Sequence, residues 1–140
     1  MTNGLPNTSD GSFVLAQTPV HLGLGAIAVP LTNFSWDESC LEEYVRRFSA
    51  DGEEGRLVCI TAEEKTWTQW ERHPAGDELV VLLSGRIDVV QELEAGYRTV
   101  ELQPGRAVIN PRGIWHTSDV HEKASALFVT PGLGTEHKPR

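Results

Sequence analysis

The strongest constraint on the fold of this 140-residue chain is a change of hydrophobic period near residue 56. Before it, Leu41, Tyr44, Val45 and Phe48 recur at i, i+3, i+4 and i+7, the spacing of an apolar stripe on one helix. After it the period falls to two, which places alternate side chains on one face of a strand. Seven segments carry that pattern: RLVCITA, KTWTQWERH, ELVVLLSG, RIDVVQEL, YRTVEL, RAVINP and SALFVT. The breaks between them fall at Glu63-Glu64, Pro74–Asp77, Ser84-Gly85, Glu94–Gly96, Gln103–Gly105 and Pro111–Gly113, most of them bearing the glycine or proline that turns a chain. Strands so short and close leave no room for intervening helices. The spacing therefore predicts an all-β antiparallel sandwich or barrel and excludes βαβ units.

The region before residue 56 reads differently. MTNGLPNTSDGS is polar and turn-rich, the composition of a mobile arm. FVLA reads as a possible strand, and His21 to Pro30 as an apolar run broken by glycine. Ser35-Trp-Asp-Glu38 has the Ser-x-x-Glu form of a capping box, predicting a helix of about three turns that ends near Asp51-Gly52. Glu42, Glu43, Arg46 and Arg47 form its solvated face. The expected organisation is a single domain: 1–55 as arm, strand and helix packed on a barrel, 56–131 as the barrel, and 132–140 as a terminal arm.

Charge narrows the partners. Twelve Lys and Arg against twenty Asp and Glu leave a formal net charge of −8, which repels phosphate backbones and anionic lipid headgroups; nucleic acid and membrane surfaces are not expected. No stretch approaches the roughly 18 apolar residues of a membrane span, and the start lacks the basic residues of a signal peptide. A soluble, cytoplasmic protein is the expectation, with Cys40 and Cys59 as reduced thiols outside any metal or disulfide spacing.

Two segments carry the chemistry. Glu71, His73, Glu78 and Gly85 stand in the frame E-x-H-x4-E-x6-G, and Gly105, Pro111, Gly113 and His116 in the frame G-x5-P-x-G-x2-H. Together they resemble the two-motif signature of the cupin superfamily, the first motif of which begins H-x-H where this chain has Glu71-x-His73. The resemblance implies a double-stranded β-helix, a jelly-roll-like antiparallel barrel, here with one N-terminal helix added. It also implies a metal centre and, for a chain of this size, a homodimer. The geometry agrees: residues 71 and 73 share a strand face, the turn at 74–77 returns Glu78 beside His73, and the Pro111/Gly113 turn aims His116 into the same cavity. Gly85 is expected to end its strand in a turn.

The implied metal ligands are Glu71, His73, Glu78 and His116, a donor set that suits a divalent transition ion, Fe, Mn, Zn or Ni. If Glu71 binds, two carboxylates formally neutralise the ion, and their oxygen donors favour Fe or Mn. If it does not, two His and one carboxylate remain, and Glu71 becomes a candidate catalytic acid or base. Two carboxylates inside a barrel call for a cation in either case. The resemblance implies a metal-dependent enzyme of dioxygenase, isomerase or lyase type acting on a small polar molecule. The alternative is a non-catalytic barrel that binds or senses a small ligand, with or without metal.

Parity sorts the remaining candidates. Trp67, Val89 and Phe128 read as core or barrel lining, with Trp67 also of the parity to wall a pocket, Trp70 as packing outside the barrel or at a dimer seam, and Arg72 as one half of an outward salt bridge. His121 reads as a surface residue, while His21 and His137 show no partner in the sequence.

Overall fold

The computed structural model describes residues 11–140, so the first ten residues of the expected N-terminal arm lie outside the described residues. In chain order the elements are β1 (Val20–Gly23), β2 (Ile27–Pro30), α1 (Glu38–Arg47), a 3-10 segment (Ser49–Glu54), β3 (Arg56–Glu63), β4 (Gln69–Arg72), β5 (Glu78–Leu93), β6 (Gly96–Leu102), β7 (Ala107–Asn110), β8 (His116–Thr130) and β9 (Glu136–Pro139). Every strand pairing is antiparallel. One path of the sheet runs β2-β1-β3-β8-β4-β9, and β5 joins it through β8 while also pairing with β6 and β7. The sheet is not closed, and its strands follow the all-β antiparallel plan expected from the period of two. Among the described residues no helix is long and apolar enough to cross a membrane.

β5 and β8 are the long central strands, of 16 and 15 residues. The expected turn at Ser84-Gly85 does not form, and the two segments around it make the single strand β5. Gly85 instead sits at φ +81° among register shifts spanning Leu82 to Ile87, a bulge that bends the strand without ending it. Only glycine fits, because a Cβ there would meet the Lys123 carbonyl oxygen and lie 2.7 Å from Ala124 Cα on β8. Inward residues of these strands build the core: Val80, Leu82, Ile87 and Val89 from β5, Ala124, Ala126 and Phe128 from β8, with Cys59, Leu102 and Val108. Trp67 packs against that cluster.

Four further expectations are corrected. FVLA forms no strand, and the His21–Pro30 run holds the β1/β2 hairpin, with Gly25 at φ +78° in its turn. The helix cap is Asp37 rather than Ser35: Asp37 Oδ1 accepts from the Cys40 N–H at 2.8 Å, and the Ser35 hydroxyl donates to Asp37. Asp37 lies next to the first helical residue, where its carboxylate reaches a free N–H and opposes the positive end of the helix dipole. The tail is no loose arm, since β9 pairs with β4 through Glu71↔His137 and Trp70↔Lys138. Three of its four residues are exposed, so this edge strand shows no apolar alternation. Finally, α1 carries the expected apolar stripe, yet none of its residues is buried.

Candidate metal centre

Two strand starts, one short strand and the residue that follows it bring the cluster together. β4 supplies Glu71, which stands opposite His116 at the start of β8. His73 follows β4, and Glu78 opens β5. The 74–77 turn between them is pinned from outside: the Arg112 N–H donates to Asp77 Oδ1 at 2.7 Å and the Gly113 N–H to the His73 carbonyl at 3.0 Å. His73 Nε2 then lies 3.0 Å from Glu71 Oε1 and 3.1 Å from Glu78 Oε2, and His116 Nε2 lies 3.3 Å from Glu78 Oε1. One donor atom from each of Glu71, His73, Glu78 and His116 falls within 4.8 Å of the others.

The hydrogen bonds behind these side chains set their protonation. His116 Nδ1 faces the Ile114 carbonyl, an acceptor only, at 3.4 Å, which favours the tautomer with its proton on that nitrogen. His73 Nδ1 lies 2.9 Å from the Thr135 hydroxyl, which can accept in the same way. In that tautomer both imidazoles turn a bare, buried Nε2 toward the carboxylates, with no hydrogen-bond donor of its own. Glu78, equally buried, accepts from Asn110 Nδ2 at 3.0 Å and from Thr130 Oγ1 at 2.6 Å. Two bare Nε2 lone pairs against carboxylate oxygens are relieved by a bound cation or by a proton on Nε2. The donor chemistry fits a divalent metal ion.

Where no ion neutralises the cluster, a proton takes its place. Burial pushes the His73 pKa down, but the Glu71 and Glu78 carboxylates outweigh it and raise the value to about 9. Burial pushes Glu78 up, but its contacts with His116 and His73 win and hold it well below the usual carboxylate range. Nearby, the Cys59 thiol is pushed up to about 12, first by burial and then by the negative charge of Glu78, Glu63 and Glu71. That rules Cys59 out as a ready nucleophile.

Several contacts in and around the cluster have no signature in the local sequence. Gln91 and Asn110 are 0% and 1% exposed, and Gln91 Nε2 donates to Asn110 Oδ1 at 2.8 Å while Arg98 Nε donates to Gln91 Oε1 at 3.0 Å. A buried chain of amides thus runs from the surface to Glu78. Only its inward parity was legible, Gln91 sharing that of Ile87 and Val89, and Asn110 that of Val108. His137, carried by β9, lies 3.4 Å from Glu71 Oε2. His21 is buried, with Nδ1 2.7 Å from the Tyr44 hydroxyl, Nε2 2.6 Å from Asp51 Oδ2 and its ring stacked on Phe48 at 3.8 Å. Its partners stand 23 and 30 residues away, beyond any local pattern.

The other candidates fall as expected. Arg72 Nε donates to Glu136 Oε2 at 2.8 Å, exposed His121 meets Asp88 at 2.9 Å, and Trp70 stacks on Tyr97 outside the core at 5.7 Å. Arg72 and Lys138 both lie over the Trp115 ring, at 4.5 and 4.6 Å. Cys40 and Cys59 are free thiols.

Beside the cluster lies a cavity of about 810 Å³. Glu71, His73, Glu78, Thr130, Thr135 and His137 line it, as do the barrel residues Leu57, Ile60 and Phe128 and, on the helix side, Trp36, Leu41, Tyr44 and Val45.

Comparison with known proteins bears on the fold. The cupin domain family matches residues 50–131. Among solved structures, an uncharacterized conserved protein with a double-stranded β-helix domain from Klebsiella pneumoniae is 19% identical, with 61% of this chain and 76% of that one covered at a TM-score of 0.50. A cupin-2 domain containing protein from Shewanella frigidimarina is 18% identical, with 61% and 71% covered at a TM-score of 0.46. Hydroquinone 1,2-dioxygenase from Sphingomonas sp., solved with 4-hydroxybenzoate bound, is 18% identical, with 54% of this chain covered at a TM-score of 0.47. The match spans 58% of that enzyme chain's length. No curated protein matches the chain.

Proposed function

The chain belongs to the cupin family, and from that premise we propose that it is a metal-dependent enzyme of dioxygenase, isomerase or lyase type whose substrate is a small molecule held in the cavity beside Glu71. The observation that carries this reading is the pair of buried, unpartnered Nε2 atoms facing the glutamates. His73, His116 and Glu78 would hold the ion, and Glu71 would complete the set. Two carboxylates neutralise a divalent charge and favour Fe or Mn through their oxygen donors. A bound ion would supply Lewis-acid activation of a substrate oxygen, or redox chemistry.

The protein's own groups do the rest. Asn110 and Thr130 fix both oxygens of Glu78, so this ligand is pre-oriented,. Glu71 is 22% exposed against 2% for Glu78, and it borders the cavity. Its Oε2 lies 3.4 Å from His137 Nε2, and this oxygen would take or return a substrate proton. Elemental analysis of untagged protein tests the proposal. Roughly one transition-metal ion per chain is expected, lost in the His73→Ala/His116→Ala variant. Substoichiometric metal, or a variant that keeps it, overturns the reading. Metal content unchanged in Glu71→Gln would remove Glu71 from the ligand set and leave it the acid–base role alone.

A further inference from the structure

We propose that the ligand of this site is an amphiphile, with an apolar body seated between α1 and the barrel and an oxygen-donor head at the Glu71, His73, Glu78 and His116 cluster. The head-group part of the proposal rests on the metal reading; the body does not. The expected small polar molecule fits only one end of the cavity. Polar groups gather at the cluster, whereas the walls running away from it are Leu57, Ile60 and Phe128 on one side and Trp36, Leu41 and Val45 on the other.

The helix side is the informative one. An amphipathic helix normally buries its apolar stripe against the body of the protein. Here none of the α1 residues is buried, and Trp36 and Val45 are 53% and 37% exposed. The helix does not close the gap because a polar anchor holds its C-terminal half: the Tyr44 hydroxyl meets His21 Nδ1, and His21 Nε2 meets Asp51. That anchor is close-fitted, since a Cβ on Gly55 would lie 2.9 Å from His21 Cε1. The helix is thus fixed at a distance, with Tyr44 and Phe48 packed on His21 and with Leu41 and Val45 bordering the cavity.

The occupant follows from size and charge. About 810 Å³ lies within the range of small-molecule sites,. Apolar walls offer water few partners, so an apolar body gains from displacing it. At the polar end, a divalent ion with two glutamates sums to zero, which admits a neutral or singly anionic oxygen donor without repulsion.

Straight-chain hydroxamic acids, which present a metal-binding head on a chain of chosen length, are the probe. Calorimetric titration of zinc-loaded protein should show affinity rising about fourfold per methylene, on the order of a hundredfold from acetohydroxamate to hexanohydroxamate. The Leu41→Asp/Val45→Asp variant should lose most of that gain while binding acetohydroxamate as before. Val45 is exposed and Leu41 only partly buried, unfolding by urea checks that the variant folds, and Leu41→Met/Val45→Ile should keep the gain. Equal affinities for the two hydroxamates, or a gain untouched by the aspartates, would overturn the proposal. In the His73→Ala/His116→Ala protein, octanoate binding well above acetate supports the apolar seat even if no metal is found. Failure of the metal reading and failure of the cavity reading are thereby told apart.

Discussion

The two ends of the cavity are held by different physics. At the cluster, the side chains sit on or beside long paired strands. His73 is backed by Thr135, Glu78 by Asn110 and Thr130, and His116 by the Ile114 carbonyl. At the other end, α1 contributes no buried residue and is tied down by His21, Tyr44, Asp51 and the Phe48 stack. Chemistry needs donors fixed to fractions of an ångström; recognition of a flexible body does not. The cluster end should therefore be rigid in shape but electrostatically costly, and the helix end cheap to open.

The largest test of that contrast is the His73→Ala/His116→Ala variant, for which metal affinity should fall by more than about 100-fold with α1 unchanged in hydrogen exchange. If exchange across Glu38–Arg47 rises as well, the ends are not independent. Next comes Asn110→Ala, which takes one donor from Glu78 and leaves Gln91 Nε2 with the Ile109 carbonyl. Metal affinity should drop about 10- to 100-fold and unfolding free energy by about 1–3 kcal/mol, read by competition with a chelator and by urea titration.

His21→Ala probes the opposite end. It leaves Tyr44 and Asp51 without their shared partner, and about 1–3 kcal/mol of stability should go with it. Exchange across α1 should quicken while metal content stays at the wild-type level. A fall in metal content would erase the distinction between the two ends.

The smallest effect is a pH dependence confined to the cluster. With no ion bound, His73 is protonated in the fold, its pKa raised from 6.5 to about 9. A raised value means that this contribution to stability is complete below about 6.5 and is lost as pH climbs through about 9,. Urea midpoints of the chelated protein should fall over that interval, and those of metal-loaded protein should not, since its Nε2 is already occupied. A flat profile for the chelated protein would mean that Glu71 and Glu78 do not act on His73 as drawn.

Much of the cluster could be read from the chain. Glu71, His73, Glu78 and His116 stand at spacings that a strand, a tight turn and a second strand convert into one cluster, because side-chain alternation is a local property of the pleat. Gly85 shows where that reading stops: a glycine between two apolar runs is equally a turn or a bulge, and the approach of Ala124 from β8 decided for the bulge. Ser35 and Asp37 are both good caps, and the path by which the chain enters α1 chose Asp37. β9 was invisible because an edge strand with exposed residues needs no apolar pattern, only the free edge of β4 to pair with.

The chain by itself determined an antiparallel β fold, its helix and the donor set of a candidate metal centre, all of which follow from periods and spacings within a few residues. Tertiary structure alone decided that His137 reaches Glu71, that Gln91 and Asn110 support Glu78, and that α1 stands away from the barrel over an apolar cavity. The reason is that a contact between residues far apart in sequence, like an unfilled volume, depends on where whole elements are held. No local pattern of side chains encodes that distance.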